Sequence, residues 1–161
     1  MRGASAEDAA GTEVDDEERL AELFGALVDG DIEGFLSGCS QNLLLTVWGS
    51  SSSGTFVPRS ELRTWYDSLK GLTQGTLRSE LVLTLTLGIE KVVMLSHSFV
   101  LHGEHRHYET VEHCVFSEGE FVAWFSRPCN ALQYTNAWRD RPGGGAAASI
   151  GRASLAGAGR A

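Results

Sequence analysis

Glu112 lies in the run Tyr108-Glu109-Thr110-Val111-Glu112-His113-Cys114, where apolar and polar residues alternate as they do along a half-buried strand. The strand pattern places Glu112 on an apolar side, near Trp124 and Leu95. A carboxyl set against an indole and a leucine loses hydration. Its neutral form is then favoured and its pKa rises, so it could donate a proton near neutral pH. His97 shares that face, diagonally across the ladder at roughly 7 Å between backbones, within reach of a glutamate side chain as an orienter or base. Glu112 and His97 are therefore the candidate catalytic pair. Thr46, Trp48, Leu95, Phe99, Tyr108, Thr110, Cys114, Val122, Trp124 and Ser126 are the expected pocket lining.

Two turns fix this placement. His102-Gly103-Glu104-His105 fits a two-residue hairpin with Gly103 leading a type II′ turn, which sets Phe99 opposite Tyr108, His97 opposite Thr110, Leu95 opposite Glu112 and Val93 opposite Cys114. Ser117-Glu118-Gly119 fits a three-residue hairpin with Gly119 left-handed in a G1 bulge. That turn puts Trp124 opposite Glu112, Val122 opposite Cys114 and Ser126 opposite Thr110. Leu101 and Arg106 fall on this first face too, while Ser96, Ser98, His105, His107, Glu109 and His113 fall on the other. Helices must cover the apolar face, so it is assigned to the interior.

Each of these residues also has a plainer reading. Glu112 could be a buried acid satisfied by His97, Thr110 or water, and His97 a core histidine with a partner. His102, His105, His107, Glu109 and His113 have strand spacing that could share a metal, but the register puts them on a polar outer surface and no metal is expected. Cys114 lacks a basic neighbour and reads as a packed thiol. Trp48, Trp65, Trp124, Phe24 and Tyr66 are spread over several elements, as core aromatics are, with Trp124 the one retained for the site. Val100, Val111, Val115, Phe121 and Phe125 leave apolar spots on the outer face, which suggests a homodimer contact.

The elements that must hold these residues can be read along the chain. Asp15 or Asp16 can cap a helix carrying Leu20, Leu23, Phe24, Leu27 and Val28, and Gly30 ends it. Asp31 caps a short second helix through Ile32, Phe35 and Leu36. Residues 42–48 form a first strand, residues 49–54 a flexible loop, and Leu62, Trp65, Tyr66 and Leu69 mark one side of a third helix that starts near Pro58 and Ser60. Strands are expected near 76–87, 89–102, 105–117 and 120–127. The order is ααβαββββ, an α+β domain over residues 15–138, with a disordered acidic stretch at 1–14 and a disordered Gly/Ala/Arg tail at 139–161.

Composition narrows the classes of function. The 161 residues carry a net charge of −8, with −6 in residues 1–18, +3 in 139–161 and −5 between. An acidic middle argues against nucleic-acid binding. The absence of a long apolar run argues against a secretory leader or a membrane span, so a soluble cytoplasmic protein is expected. Cys39, Cys114 and Cys129 suggest neither a disulfide framework nor a zinc ribbon.

From about Glu17 to Trp138 the chain resembles the SnoaL-like and ketosteroid-isomerase-like branch of the nuclear-transport-factor-2-like superfamily. The resemblance rests on LFGALVDGDIEGFL, GTFVPRSELRTWYDSL, HCVFSEGEFVAWF and the terminal NALQYTNAW. It implies a conical fold, with a curved sheet wrapped around a long helix, a deep apolar pocket and frequent dimerisation. Activities known in the superfamily include steroid isomerisation, polyketide cyclisation, epoxide hydrolysis and dehydration. By that resemblance Glu112 falls where ketosteroid isomerases hold a protonated aspartate in their oxyanion hole. Their general-base aspartate aligns with Thr46 and their helix-1 tyrosine with Leu23, so a steroid isomerase mechanism has lost its base. SnoaL-like relatives often carry His or Asp at the position of Thr46 and an acid at that of Asn130, and the Gly common before the third helix is Pro58 here.

The expected protein binds a small apolar, polyketide- or steroid-like molecule in its cone. As an enzyme it would carry out acid-assisted cyclisation, isomerisation or epoxide opening with no cofactor. The competing reading is a non-catalytic ligand binder or dimeric scaffold of the same fold.

Overall fold

The computed structural model describes residues 6–49, 54–87 and 90–139. Residues 1–5 and 140–161, which hold parts of the two expected disordered ends, lie outside the described residues. Among the described residues four α-helices and six strands follow one another: α1 (Ala6–Val28), α2 (Ile32–Ser37), β1 (Cys39–Val47), β2 (Thr55–Pro58), α3 (Leu62–Leu72), β3 (Arg78–Leu87), β4 (Glu90–Leu101), β5 (Glu104–Ser117), β6 (Glu120–Pro128) and α4 (Ala131–Ala137).

The α+β architecture is the expected one, with one strand and one helix added. β2 is a single Thr-Phe-Val-Pro run, too short to show a period, and it is recruited by antiparallel pairing of Val57 with Leu45; residues 50–53 of the expected flexible loop before it lie outside the described residues. α4 is started by Asn130, whose side chain accepts from the backbone N–H groups of Leu132 and Gln133. The expected helix start at Asp15 or Asp16 falls inside α1, which begins at Ala6. The residues before Asp15 are rich in Ala, Glu and Asp, and acids near a helix N-terminus are favoured by its dipole. The junction between α1 and α2 is as read: Gly30 takes φ +84°, and Asp31 Oδ1 accepts from Gly34 N at 2.8 Å.

The sheet order is β2-β1-β6-β5-β4-β3, with β1 parallel to β6 and the other pairs antiparallel. The parallel pair brings Leu45 beside Trp124 and Val47 beside Ser126. Leu20, Phe24, Phe35, Leu43, Leu45 and Phe121 pack between the helices and this end of the sheet, each 1% exposed or less. A second cluster, with Leu69, Phe99, Tyr108, Tyr134 and Trp138, closes the other end under α4.

Both hairpins differ from the expected turns. His102-Gly103 and Glu118-Gly119 are two-residue loops with positive φ at both positions (53° and 79°, 53° and 77°), the mirror-image type I′ geometry with glycine second. His97 therefore faces Tyr108, Leu95 faces Thr110 and Val93 faces Glu112. Each partner moves by two residues. Because side chains alternate with period two, a two-residue shift keeps every residue on its expected face.

In β6 a bulge does the corresponding work. Phe116 pairs with Phe121 and Val115 with Ala123, so Val122 is the extra residue and the ladder regains its parity beyond it. Two assignments change as a result. Phe121, expected on the outer face, is fully buried in the core, and Val122, expected to line the pocket, is half-buried and does not reach it.

Candidate functional site

The concave face of the sheet, with α1 and α3 across it, lines a cleft with a cavity volume of about 60 Å³. β5 contributes Tyr108, Thr110 and Glu112, β4 Leu95 and His97, and β6 Trp124 and Ser126. These seven, with Trp48 at the end of β1, are the sequence-predicted residues that the fold brings together.

Four pocket-lining expectations are corrected. The β1 pleat turns Leu43, Leu45 and Val47 into the core, which sends Thr46 to the opposite face. It is buried there beside Gly54, where a Cβ would stand only 2.8 Å from Thr46 Cγ2. Phe99 is spent on the α4 cluster, stacked on Trp138 with ring centroids 4.5 Å apart. Cys114 is fully buried in the main core, and Val122 sits at the bulge. Arg106, on the same face of β5, is drawn to the carbonyl of Asn136 and to Glu104.

Sequence reading missed part of the wall. Trp65, Tyr66 and Leu69 of α3, Leu27 and Val28 of α1, Val47, Leu77, Ser79 and Tyr134 all line the cleft. The helical stripe of Leu62, Trp65, Tyr66 and Leu69 was the available signal for α3. Ser79 and Tyr134 carry no local signal, since only the pairing of β3 with β4 and the docking of α4 bring them in.

Glu112 is 1% exposed and accepts three hydrogen bonds. Thr110 Oγ1 and Ser126 Oγ (3.1 Å) donate to Oε1, and the Trp124 indole N–H donates to Oε2 at 2.5 Å. Burial raises its pKa from the ordinary 4.5 to about 7, and the three donors hold it back from rising further. The carboxyl can therefore hold or release a proton near neutrality while its position stays fixed.

His97 is held on both nitrogens, by Ser79 Oγ at Nδ1 and Thr110 Oγ1 at Nε2, each at 2.8 Å, and its ring stacks on Tyr108 at 4.7 Å between centroids. Burial lowers its pKa from 6.5 to about 4, helped by the nearby charge site of His107. The imidazole is thus neutral at physiological pH. It does not touch Glu112 directly, and Thr110 stands between them. Burial also pushes the Tyr108 hydroxyl and the Cys114 thiol well above their ordinary values.

Among the described residues no Lys, Arg or Asp lines the cleft, and Glu112 is its only carboxyl. Its walls are tryptophan, tyrosine, leucine and valine, with the polar groups gathered on one side at Ser79, His97, Thr110, Glu112 and Ser126. Outside it, His107 bonds Ser96 (3.0 Å) and Gln133 (3.2 Å). Among the described residues no three His, Cys, Asp or Glu side chains gather as a metal site. Among the same residues no helix is long and apolar enough to cross a membrane.

An open curved sheet folded over helices, with a blind apolar cleft between them, defines the nuclear-transport-factor-2-like fold. Solved structures agree. Bal32a, from a soil-derived mobile gene cassette, superposes with a TM-score of 0.69 at 15% identity, covering 79% of this chain and 98% of its own. An NTF2-like protein from Burkholderia thailandensis gives 0.66 at 12% identity, covering 77% and 97%. TerC, co-crystallised with polyporic acid, gives 0.63 at 16% identity, covering 76% and 96%. No family profile and no curated protein matches the sequence.

Proposed function

We propose that the protein binds a small, uncharged, largely apolar molecule in the cleft, with one polar group of that molecule set against Glu112, and that Glu112 exchanges a proton with it. The observation that carries this reading is a fully buried carboxyl, held by three donors at a pKa of about 7, at the polar end of an otherwise apolar cleft. Trp65, Trp48, Tyr66 and Tyr134 offer aromatic surface to a ring system, and the lack of a cation among the described lining residues disfavours anionic ligands. TerC, which shares the fold, was co-crystallised with polyporic acid, a precedent for an organic ligand on this fold.

The chemistry open to such a site is acid-assisted cyclisation, isomerisation or epoxide opening. Glu112 protonates a developing alkoxide or enolate, or stabilises it by hydrogen bonding. His97 is buried and neutral, so it serves as an orienting group through Thr110 and not as an ionised base. No cofactor is needed for these reactions.

Trp48, Trp65 and Trp124 line the cleft, so quenching of tryptophan fluorescence by a panel of neutral polycyclic phenols, quinones and epoxides reports binding directly. The reading expects saturable quenching by neutral ligands, none by their sulfonated analogues, and loss of turnover in Glu112→Gln with binding retained. Turnover that survives Glu112→Gln removes the acid.

A homodimer through the outer sheet face is also proposed. Val100, Val111, Val115 and Phe125 stay half-exposed there. Sedimentation of wild type and Phe125→Glu tests it: a wild-type monomer at micromolar concentration sinks the dimer.

A further inference from the structure

We propose that Ser79, His97 and Thr110 form a one-proton relay linking the Glu112 carboxyl to the β3 side of the sheet, in which His97 acts as a neutral imidazole whose tautomer follows the protonation of Glu112. The inference rests on the reading of Glu112 as the acid of the cleft and adds to it the route by which that acid is recharged.

Thr110 Oγ1 has a single hydrogen and two neighbours, His97 Nε2 at 2.8 Å and Glu112 Oε1. A carboxylate only accepts. While Glu112 is ionised, Thr110 must spend its hydrogen on Oε1, and the bond to His97 then exists only if Nε2 carries the hydrogen. Neutral His97 consequently has a bare Nδ1, which accepts from Ser79 Oγ at 2.8 Å.

Protonation of Glu112 reverses every bond in the chain. Trp124 is a donor only and occupies Oε2, which leaves Oε1 as the oxygen for the added proton. Of the two hydroxyls at Oε1, Thr110 lies closer than Ser126 and alone touches the imidazole. The acid then donates to Thr110, Thr110 donates to Nε2, and Nδ1–H donates to Ser79.

Passing between the two states moves one proton and conserves all others. In discharge to solvent, the O–H bond of Glu112 breaks as a new one forms on Thr110. The old Thr110 O–H breaks as Nε2–H forms, Nδ1–H breaks as a new Ser79 O–H forms, and the old Ser79 proton leaves to water. The carboxyl becomes a carboxylate, and no other group ends charged. Ser79 is half-buried whereas Glu112 is 1% exposed, so the chain runs from the dry end outward. Ser79 is also the cross-strand partner of His97, and this pairing fixes their contact.

The titratable groups that face this chain are few. Tyr66 of α3, Tyr108 and Cys114 of β5 and Tyr134 of α4 flank it. His107 acts on His97 from the other face of β5, and Cys129 beyond β6 feels the charge of Glu112. Tyr66 donates its hydroxyl to the carbonyl of Leu27. His107 is engaged with Ser96 and Gln133.

Long-range proton–nitrogen correlation spectra of histidine-labelled full-length protein, recorded between about pH 5.5 and 9 alongside the Glu112 carboxyl carbon, test the relay. The expected result is Nε2–H above the Glu112 transition and Nδ1–H below it, both signals moving at one pH. Glu112→Gln should abolish the tautomer change. Ser79→Ala, which removes the acceptor for Nδ1–H, should hold His97 as Nε2–H and weaken proton binding at Glu112 about fivefold, the equivalent of one hydrogen bond, and Ser79→Thr should restore both. A single tautomer in wild type, or a change that persists in Glu112→Gln, overturns the relay. If the carboxyl still titrates near 7 in that event, the acid of the cleft stands without it. A carboxyl transition in the ordinary range removes both.

Discussion

Trp124 donates its indole N–H to Glu112 Oε2 although the two are not cross-strand partners: Trp124 pairs with Cys114, and Glu112 pairs with Ser126. The contact is a diagonal one, made because a tryptophan is long enough to reach over the ladder. It fixes one carboxyl oxygen as an acceptor and leaves the other to the hydroxyls of Thr110 and Ser126.

Trp124→Phe keeps the aromatic volume in the core and deletes this donor. The indole bond is one of the three that hold the Glu112 pKa down, so the pKa is expected to rise above its present value of about 7. A bond to a charged acceptor contributes about 1.5–3 kcal/mol, so stability above that transition should fall by a similar amount. Carbon-13 titration of the Glu112 carboxyl checks the direction, and an unchanged or lower pKa refutes the assignment.

Glu112 and His97 make opposing contributions to the pH dependence of stability. Glu112 binds its proton more tightly folded (about 7) than its ordinary value of 4.5, so its contribution is full below about 4.5 and is lost as pH rises to about 7. His97 binds its proton more weakly folded (about 4) than its ordinary 6.5, so its contribution is full above about 6.5 and is lost as pH falls to about 4. Each spans about 3 kcal/mol at 1.36 kcal/mol per pKa unit, and the two nearly cancel between their shared limits. Urea unfolding across this range should show stability rising with pH in Glu112→Gln and falling with pH in His97→Gln. Parallel curves for both variants and wild type would refute the burial of these groups.

The three cysteines should differ sharply toward thiol reagents. Cys39 and Cys114 are buried, with burial pushing Cys39 up to about 12 and Cys114 well above its ordinary value, whereas Cys129 is exposed. Titration of the native protein with a disulfide reagent is expected to find one reactive thiol, and all three after denaturation. Prompt reaction of two or more in the native state contradicts this packing.

Gly54→Ala should destabilise the β1–β2 edge by about 1–3 kcal/mol, the ordinary cost of overpacking, because the new methyl meets Thr46 Cγ2 at 2.8 Å. Thr46→Ser removes that methyl. The double variant should therefore recover most of the loss, and additive effects in thermal unfolding would show that the two positions do not touch.

The sequence by itself determined which side of β4 and of β5 faces the cleft. Alternation along Tyr108, Thr110, Glu112 and Cys114, and along Leu95, His97 and Phe99, survives a two-residue error in register because the side-chain period is two. The helices on the concave side were legible for a similar reason, since Leu20, Phe24, Trp65 and Leu69 recur at helical spacing. Glu112 stood out as the one carboxyl on an apolar face.

Tertiary structure decided which of those residues meet. The parallel pairing of β1 with β6 has no turn to announce it, and it alone turns Val47 toward the cleft and Thr46 away. The bulge opposite Val115 buries Phe121 and displaces Val122, a local change whose cause lies in fitting β6 between two neighbours. Ser79 reaches His97 across β3 and β4 through a pairing whose register shifts between Leu81 and Leu83, and α4 claims Phe99 for its own cluster. Faces follow from local periodicity, whereas contacts across the sheet depend on pairings between segments far apart in the chain, and these are set only when the whole core is packed.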